Sequence, residues 1–202
     1  MDIYKITPCD REEGCIWFGG DYIFKSEWPR NPDGEYLALI LTLDCKKTKK
    51  ETGYTNLPDD GFIHVFSTYD SSAYFLDLIT YDDALKQSTE QSPGYTLVVH
   101  STSREKTLAP GIKIPRKNAE LKLEQVDPYT SYVGSLLTQQ PVGRLLSREL
   151  ETEYYFLGQI YSSDCPAPYQ DALYLTDATA CLLMKKKPEK DGQVGMFFVY
   201  ES

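Results

Sequence analysis

The chain has only two histidines, His64 and His100, so imidazole chemistry near neutral pH must use one of them. Asp59 and Asp60 lie five and four residues before His64, a grouping that could hold a metal through oxygen and nitrogen ligands. Strand-like alternation sets His64 inside "FIHVFST", however, and leaves the two aspartates in the turn "LPDDG". His100 falls in a second strand-like run, "GYTLVVHST". Both histidines read as sheet-face residues with a local hydrogen bond. A Cys9 or Cys15 nucleophile needs surroundings that lower a thiol pKa, and the local sequence supplies none. Ser103-Arg104-Glu105-Lys106 fits a Ser/Lys nucleophile pattern but sits in a charged connector without partner motifs. HExxH, GxSxG, P-loop, GxGxxG and paired-cysteine patterns are all missing. Carboxylates are numerous, yet nothing selects two of them as an acid/base pair. The sequence therefore predicts no catalytic residue, no metal and no cofactor.

Binding chemistry is better represented. The formal net charge is -9, and it is uneven. Residues 1–100 carry 9 Lys/Arg against 17 Asp/Glu, whereas residues 101–202 carry 12 against 13. An acidic first half argues against nucleic acid, whose phosphates need a basic face, and favours a basic partner. The lysine runs at 46–50 and 185–187 are not interleaved with aromatics as a single-strand-binding surface would be. Acidic and aromatic residues do cluster along the chain, and Asp59, Asp60, Tyr69, Asp70, Tyr81, Asp82 and Asp83 are the predicted partner-binding set. Tyrosines offer rigid contact area and the carboxylates steer and pair with Arg or Lys.

These residues must be positioned by strands. The chain of 202 residues, 41% hydrophobic with 16 tyrosines, is long enough to bury a core and favours β structure. "EYLALILTLD" (35–44) reads as a strand buried on both faces, followed by a lysine-rich loop, "CKKTKKETGYT". "FIHVFST" and "YFLDLITY" read as a hairpin around "YDSSA", which places 59–61 and 81–83 at one end of that pair. Further strands are expected at 94–102, at 119–126, at 156–161 and at 170–177. Short helices are expected at 80–88 and 143–151. No basic-then-apolar start marks a signal peptide, and no run approaches the roughly 20 apolar residues of a membrane helix. Five cysteines without a CxxC pair suit reduced thiols in a cytoplasm.

Two stretches echo each other. "LILTLD" (39–44) leads through a loop to "DDGFIHVFS", and "FLGQIY" (156–161) leads through a loop to "QDALYLTD", as a duplicated β unit would. Together with Gly19-Gly20, Trp28-Pro29 and "LPDDG", these strands resemble the bacterial YwqG-like domains of unknown function. In that comparison the first Gln-Ile pair is replaced by Thr42-Leu43, while the second survives as Gln159-Ile160. The resemblance implies accessory proteins of the kind that occur in toxin loci.

"CIWFGGDYIFKSEWP" (15–29) holds both tryptophans. Its glycines permit close backbone contacts, and Pro29 forces Trp28 into an extended conformation, so the segment reads as a structural pin. The expected class is α+β and β-rich, with mostly antiparallel sheets in two similar β units and a few short helices. It forms one compact domain of residues 1–202, or two fused halves of about 1–102 and 119–202. The leading functional expectation is a cytoplasmic, non-enzymatic immunity protein. It would block a cognate bacterial toxin of nuclease type with a basic surface, without nucleic-acid or membrane partners. The alternatives are a cytoplasmic β-rich domain binding a small molecule or peptide between its halves, and an enzyme with carboxylate chemistry.

Overall fold

A computed structural model describes residues 1–23, 27–80, 94–143, 148–188 and 192–200. Ten strands form: β1 (Asp2–Pro8), β2 (Ile16–Phe18), β3 (Ala38–Asp44), β4 (Phe62–Ser67) and β5 (Thr96–Ser101), then β6 (Lys117–Gln125), β7 (Leu136–Leu137), β8 (Tyr154–Tyr161), β9 (Thr179–Lys185) and β10 (Gly192–Val199). They close into one barrel in the order β1-β6-β2-β3-β4-β5-β10-β9-β8-β7. Every neighbouring pair is antiparallel. The described residues also form three helices, α1 (Cys45–Thr52), α2 (Leu76–Ile79) and α3 (Arg148–Glu153), and a 3-10 turn at Ser162–Asp164. The β-rich antiparallel class is as the sequence predicts. No helix among the described residues is long and apolar enough to cross a membrane.

The continuous apolar runs follow from burial on both sides of the barrel wall. Inside, Ile16, Phe18, Leu43, Ile63, Val65, Val98 and Leu182 belong to one buried cluster. Outside, the chain between β2 and β3 folds back over the wall, so that Tyr22, Trp28 and Leu37 cover Leu39, Phe66 and Val99. Trp28 donates from Nε1 to the Leu37 carbonyl at 2.6 Å, and its ring stands edge-on to Tyr22 and Phe66. The indole is thus both packed and satisfied. Gly19, at φ 57, lies where a Cβ would collide with the Ile114 and Pro115 carbonyls. The tryptophan segment is a pin across the outer wall. On the opposite wall, Val142 and Leu150 cover Ile3, Phe156 and Leu183 in the same manner.

His64 sits in this covered layer. Its Nε2 lies 3.2 Å from the Ile23 carbonyl, which can only accept, so Nε2 carries the proton and Nδ1 accepts from the Thr42 hydroxyl at 2.9 Å. Burial holds the ring neutral and pushes its pKa down to about 3.

Three expectations are corrected. The lysine-rich stretch after β3 is a helix, α1, because both ends are capped. The Asp44 side chain accepts from the Lys47 amide, and Gly53, at φ 74, donates back to the Lys49 carbonyl. Its buried face is Cys45, Thr48 and Thr52, so helical spacing is carried by threonines rather than leucines. The stretch "YFLDLITY" does not form the second strand of a hairpin. Phe75 and Ile79 are buried at a spacing of four residues that suits a helix, which α2 supplies, and β4 pairs instead with β5. The stretch 170–177 forms turns, where Tyr174 adopts φ 75 and breaks strand alternation. The helix expected at 143–151 is represented by α3, and most of the one expected at 80–88 lies outside the described residues.

Two outcomes test this packing. Trp28→Ala lowers unfolding stability by roughly 3–5 kcal/mol, measured by urea denaturation. The depressed His64 pKa means that, below the ordinary value near 6.5, the unfolded chain takes up a proton that the folded chain refuses. Stability is therefore fully present above pH 6.5 and is lost as pH falls toward 3, by up to about 1.4 kcal/mol per pH unit. Urea midpoints measured from pH 7 to pH 4 show that slope in the native chain and a shallower one in His64→Gln.

Candidate functional site

Desolvation pushes the Cys15, Cys45 and Cys165 thiols up to about 12, which suppresses the thiolate. His100 donates through Nε2 to the Asp60 carbonyl at 2.8 Å, and the Ser103 hydroxyl accepts from the Glu105 amide in an exposed turn. Among the described residues, no group of three or more His, Cys, Asp or Glu side chains could hold a metal ion. A recess of about 210 Å³ carries Lys106, Lys113 and Arg116, but Lys113 is paired with Asp21 at 2.7 Å and Arg116 lies over the Trp17 ring.

The predicted partner-binding residues separate. Asp59 and Asp60 precede β4, whereas Tyr69 and Asp70 follow it, so the barrel's height, about 20 Å for a strand of six residues, lies between the two pairs. Asp59 is bound to Lys49 at 2.6 Å, a hydrogen bond and charge that hold its carboxyl below the usual range. Asp60 pairs with Arg104 at 3.0 Å. Tyr81, Asp82 and Asp83 lie outside the described residues.

At the other end, the chain leaving β4 meets the loop between β8 and β9. The Tyr69 hydroxyl donates to Asp171 Oδ1 at 3.1 Å, and its ring is edge-on to Phe75 and Tyr169. Burial and then the bond to Asp171 push the Tyr69 pKa up to about 12. Asp70 caps its own turn, with Oδ1 accepting from the Ser72 hydroxyl and amide at 2.7 Å and from the Ala73 amide at 3.2 Å. Those bonds hold its carboxyl below the usual range. Tyr74 donates to Asp77 at 2.5 Å. Between them opens a recess of about 230 Å³, walled by Tyr74, Phe75 and Tyr174 and bearing Asp70 and Asp171.

Two features distinguish this end. Among the described residues, no lysine or arginine pairs with Asp70, Asp77 or Asp171. Three large apolar side chains are also exposed here, Tyr74 at 56%, Leu78 at 39% and Leu175 at 46%. Unpaired carboxylates beside exposed apolar area form a surface suited to a basic partner. Sequence reasoning singled out Tyr69 and Asp70 but not Tyr74, Asp77, Asp171 or Tyr174. Only the helical spacing of Phe75 and Ile79 hinted that the intervening side chains face outward.

A second cleft, of about 350 Å³, opens at the α1 end between Tyr4, Thr52 and Tyr54 from the first half and Thr138, Gln139 and Gln140 from the second. No protein-family model matches the chain, and no curated protein is significantly similar to it.

The contrast between the ends gives an expected outcome. Asp59→Asn with Asp60→Asn removes only exposed ion pairs, which contribute little to stability, and leaves the urea midpoint essentially unchanged. Asp171→Ala removes the acceptor of the Tyr69 hydroxyl and lowers it.

Proposed function

We propose that this protein is a non-enzymatic immunity protein that binds and covers a bacterial toxin of nuclease type, through the end of the barrel that carries Tyr69, Asp70, Tyr74, Asp77 and Asp171. One observation carries the reading: among the described residues no lysine or arginine pairs with the carboxylates there, and they stand beside exposed Tyr74, Leu78 and Leu175. A basic cleft that binds phosphates is complementary to such a surface in charge, and the apolar side chains supply desolvated contact. None of the five cysteines forms a disulfide, which suits a cytoplasmic site of action.

The same proposal includes a duplicated unit and the likeness to YwqG-like domains. Matching β1 to β6, β2 to β7, β3 to β8, β4 to β9 and β5 to β10 preserves the barrel order. The third strand of each unit is bulged against the fourth, after Leu39 and after Phe156. Thr42 and Gln159 then fall at matching positions, each tying down an outer segment through side-chain hydrogen bonds, Thr42 by way of His64. A second reading, a small molecule or peptide held between the halves, is favoured by the cleft at the α1 end, whose walls come from both.

The test starts from tagged protein in native lysate at low and moderate salt, with bound proteins identified by mass spectrometry and assayed for toxicity with and without the barrel. One stoichiometric basic protein is expected, its activity blocked by the native chain and by Asp59→Lys/Asp60→Lys but not by Asp70→Lys/Asp77→Lys. Undiminished inhibition by the second variant overturns the assignment of this end. A purified chain that retains a small molecule and no protein partner moves the conclusion to the second reading.

A further inference from the structure

We infer that the recess between residues 70–75 and 171–174 receives a single arginine side chain of the protein partner. The inference rests on the binding reading above and specifies its centre.

The recess is lined by the rings of Tyr74, Phe75 and Tyr174 together with residues 70–73 and Asp171. Tyr174 stands edge-on to Tyr74, with ring centroids 4.9 Å apart and an interplanar angle of 81°, and edge-on to Phe75 at 5.3 Å and 87°. Rings set at right angles present faces in different directions, and an aromatic face attracts a cation through its quadrupole. Two carboxylates complete the lining. Asp70 is held through Oδ1 by its own turn, and Asp171 through Oδ1 by the Tyr69 hydroxyl. Each keeps a second oxygen that no described group engages. Both anions are therefore fixed in place before any partner arrives, which reduces the ordering cost of association.

Charge complementarity selects the occupant. Two carboxylates repel an anion, and a neutral ligand would leave both uncompensated. A compact metal ion is a poor match, because among the described residues no group of three or more His, Cys, Asp or Glu side chains could hold one. The volume, about 230 Å³, lies below the usual range for drug-sized ligands, about 300–1,000 Å³, and suits one side chain. Of the two cationic side chains, arginine stacks its planar guanidinium on a ring and meets carboxylates in a forked geometry, whereas lysine offers a strongly hydrated point charge. Exposed Tyr74, Leu78 and Leu175 would close around it and exclude water, as the rim of an interaction hot spot does.

The experiment titrates the full-length, isotope-labelled chain with N-acetyl-arginine amide and follows tyrosine ring and Asp-region amide signals by NMR. N-acetyl-citrulline amide, the neutral isostere, serves as the control. Saturable shifts at Tyr74, Tyr174 and residues 70–73 are expected with the arginine probe, at a dissociation constant on the order of 1 mM, and none with citrulline. Asp70→Asn/Asp171→Asn keeps the Oδ1 acceptors and hence the local fold, which the dispersion of the remaining signals checks. It should weaken binding by about tenfold or more. Equal shifts with citrulline, shifts centred elsewhere, or an unaffected Asn variant would each overturn the arginine pocket. The two proposals fail separately. If the arginine probe does not bind but Asp70→Lys/Asp77→Lys still abolishes inhibition of the toxin, the pocket falls and the binding end stands. If the probe binds while inhibition survives that reversal, the recess binds arginine but this end falls as the toxin-binding surface.

Discussion

The architecture depends on one insertion: β1 lies between β6 and β7 and pairs with both. Seven residues, Asp2 to Pro8, are matched against Ala119 to Gln125, and Tyr4 and Lys5 are matched on the other edge against Leu137 and Leu136. Without that strand the sheet would have two open edges in the middle of the chain, each a row of unpaired amides and carbonyls. With it, the barrel closes and the first and second halves of the sequence are locked to each other. The opposite seam, β5 against β10, completes the ring.

Closure also leaves the interior filled rather than hollow. The interior is packed with side chains and the outer wall is covered on two sides by the segments around Trp28 and Val142, and two recesses open at the ends. The α1 end is occupied by a capped helix, and its two prominent acids, Asp59 and Asp60, are paired with Lys49 and Arg104. The other end has carboxylates held by hydroxyls and amides rather than by cations. The distinction is one of compensation rather than of charge count. Paired acids are already satisfied within the fold, whereas those held by neutral donors keep their full negative charge for an incoming cation.

Much of the strand content was legible because β3, β4 and β5 are short apolar runs with turn residues between them. The roles of His64 and the Trp28 segment were legible for the same reason, since a buried side chain on a sheet face has few alternatives to a local hydrogen bond. What escaped was governed by long-range pairing and by polar burial. The alternation at 119–126 announced β6, but β1 alternates weakly and gains its place only from partners more than a hundred residues away. The helix α1 buries threonines, whose hydroxyls are satisfied by the Cys15 and Thr48 carbonyls, so no apolar stripe announced it. The acidic surface was half legible. Tyr69 and Asp70 were recognisable from composition, but Asp171, which fixes Tyr69, lies 102 residues away, and local sequence carries no sign of such a meeting.

The central claim is that the Tyr69–Asp171 end, and not the α1 end, meets the partner. Hydrogen–deuterium exchange on the chain alone and in complex with the basic protein it retains from lysate tests this most directly. The account predicts protection confined to residues 70–78 and 169–175. Protection confined to residues 52–60 and 138–140 would contradict it and assign function to the opposite mouth of the barrel.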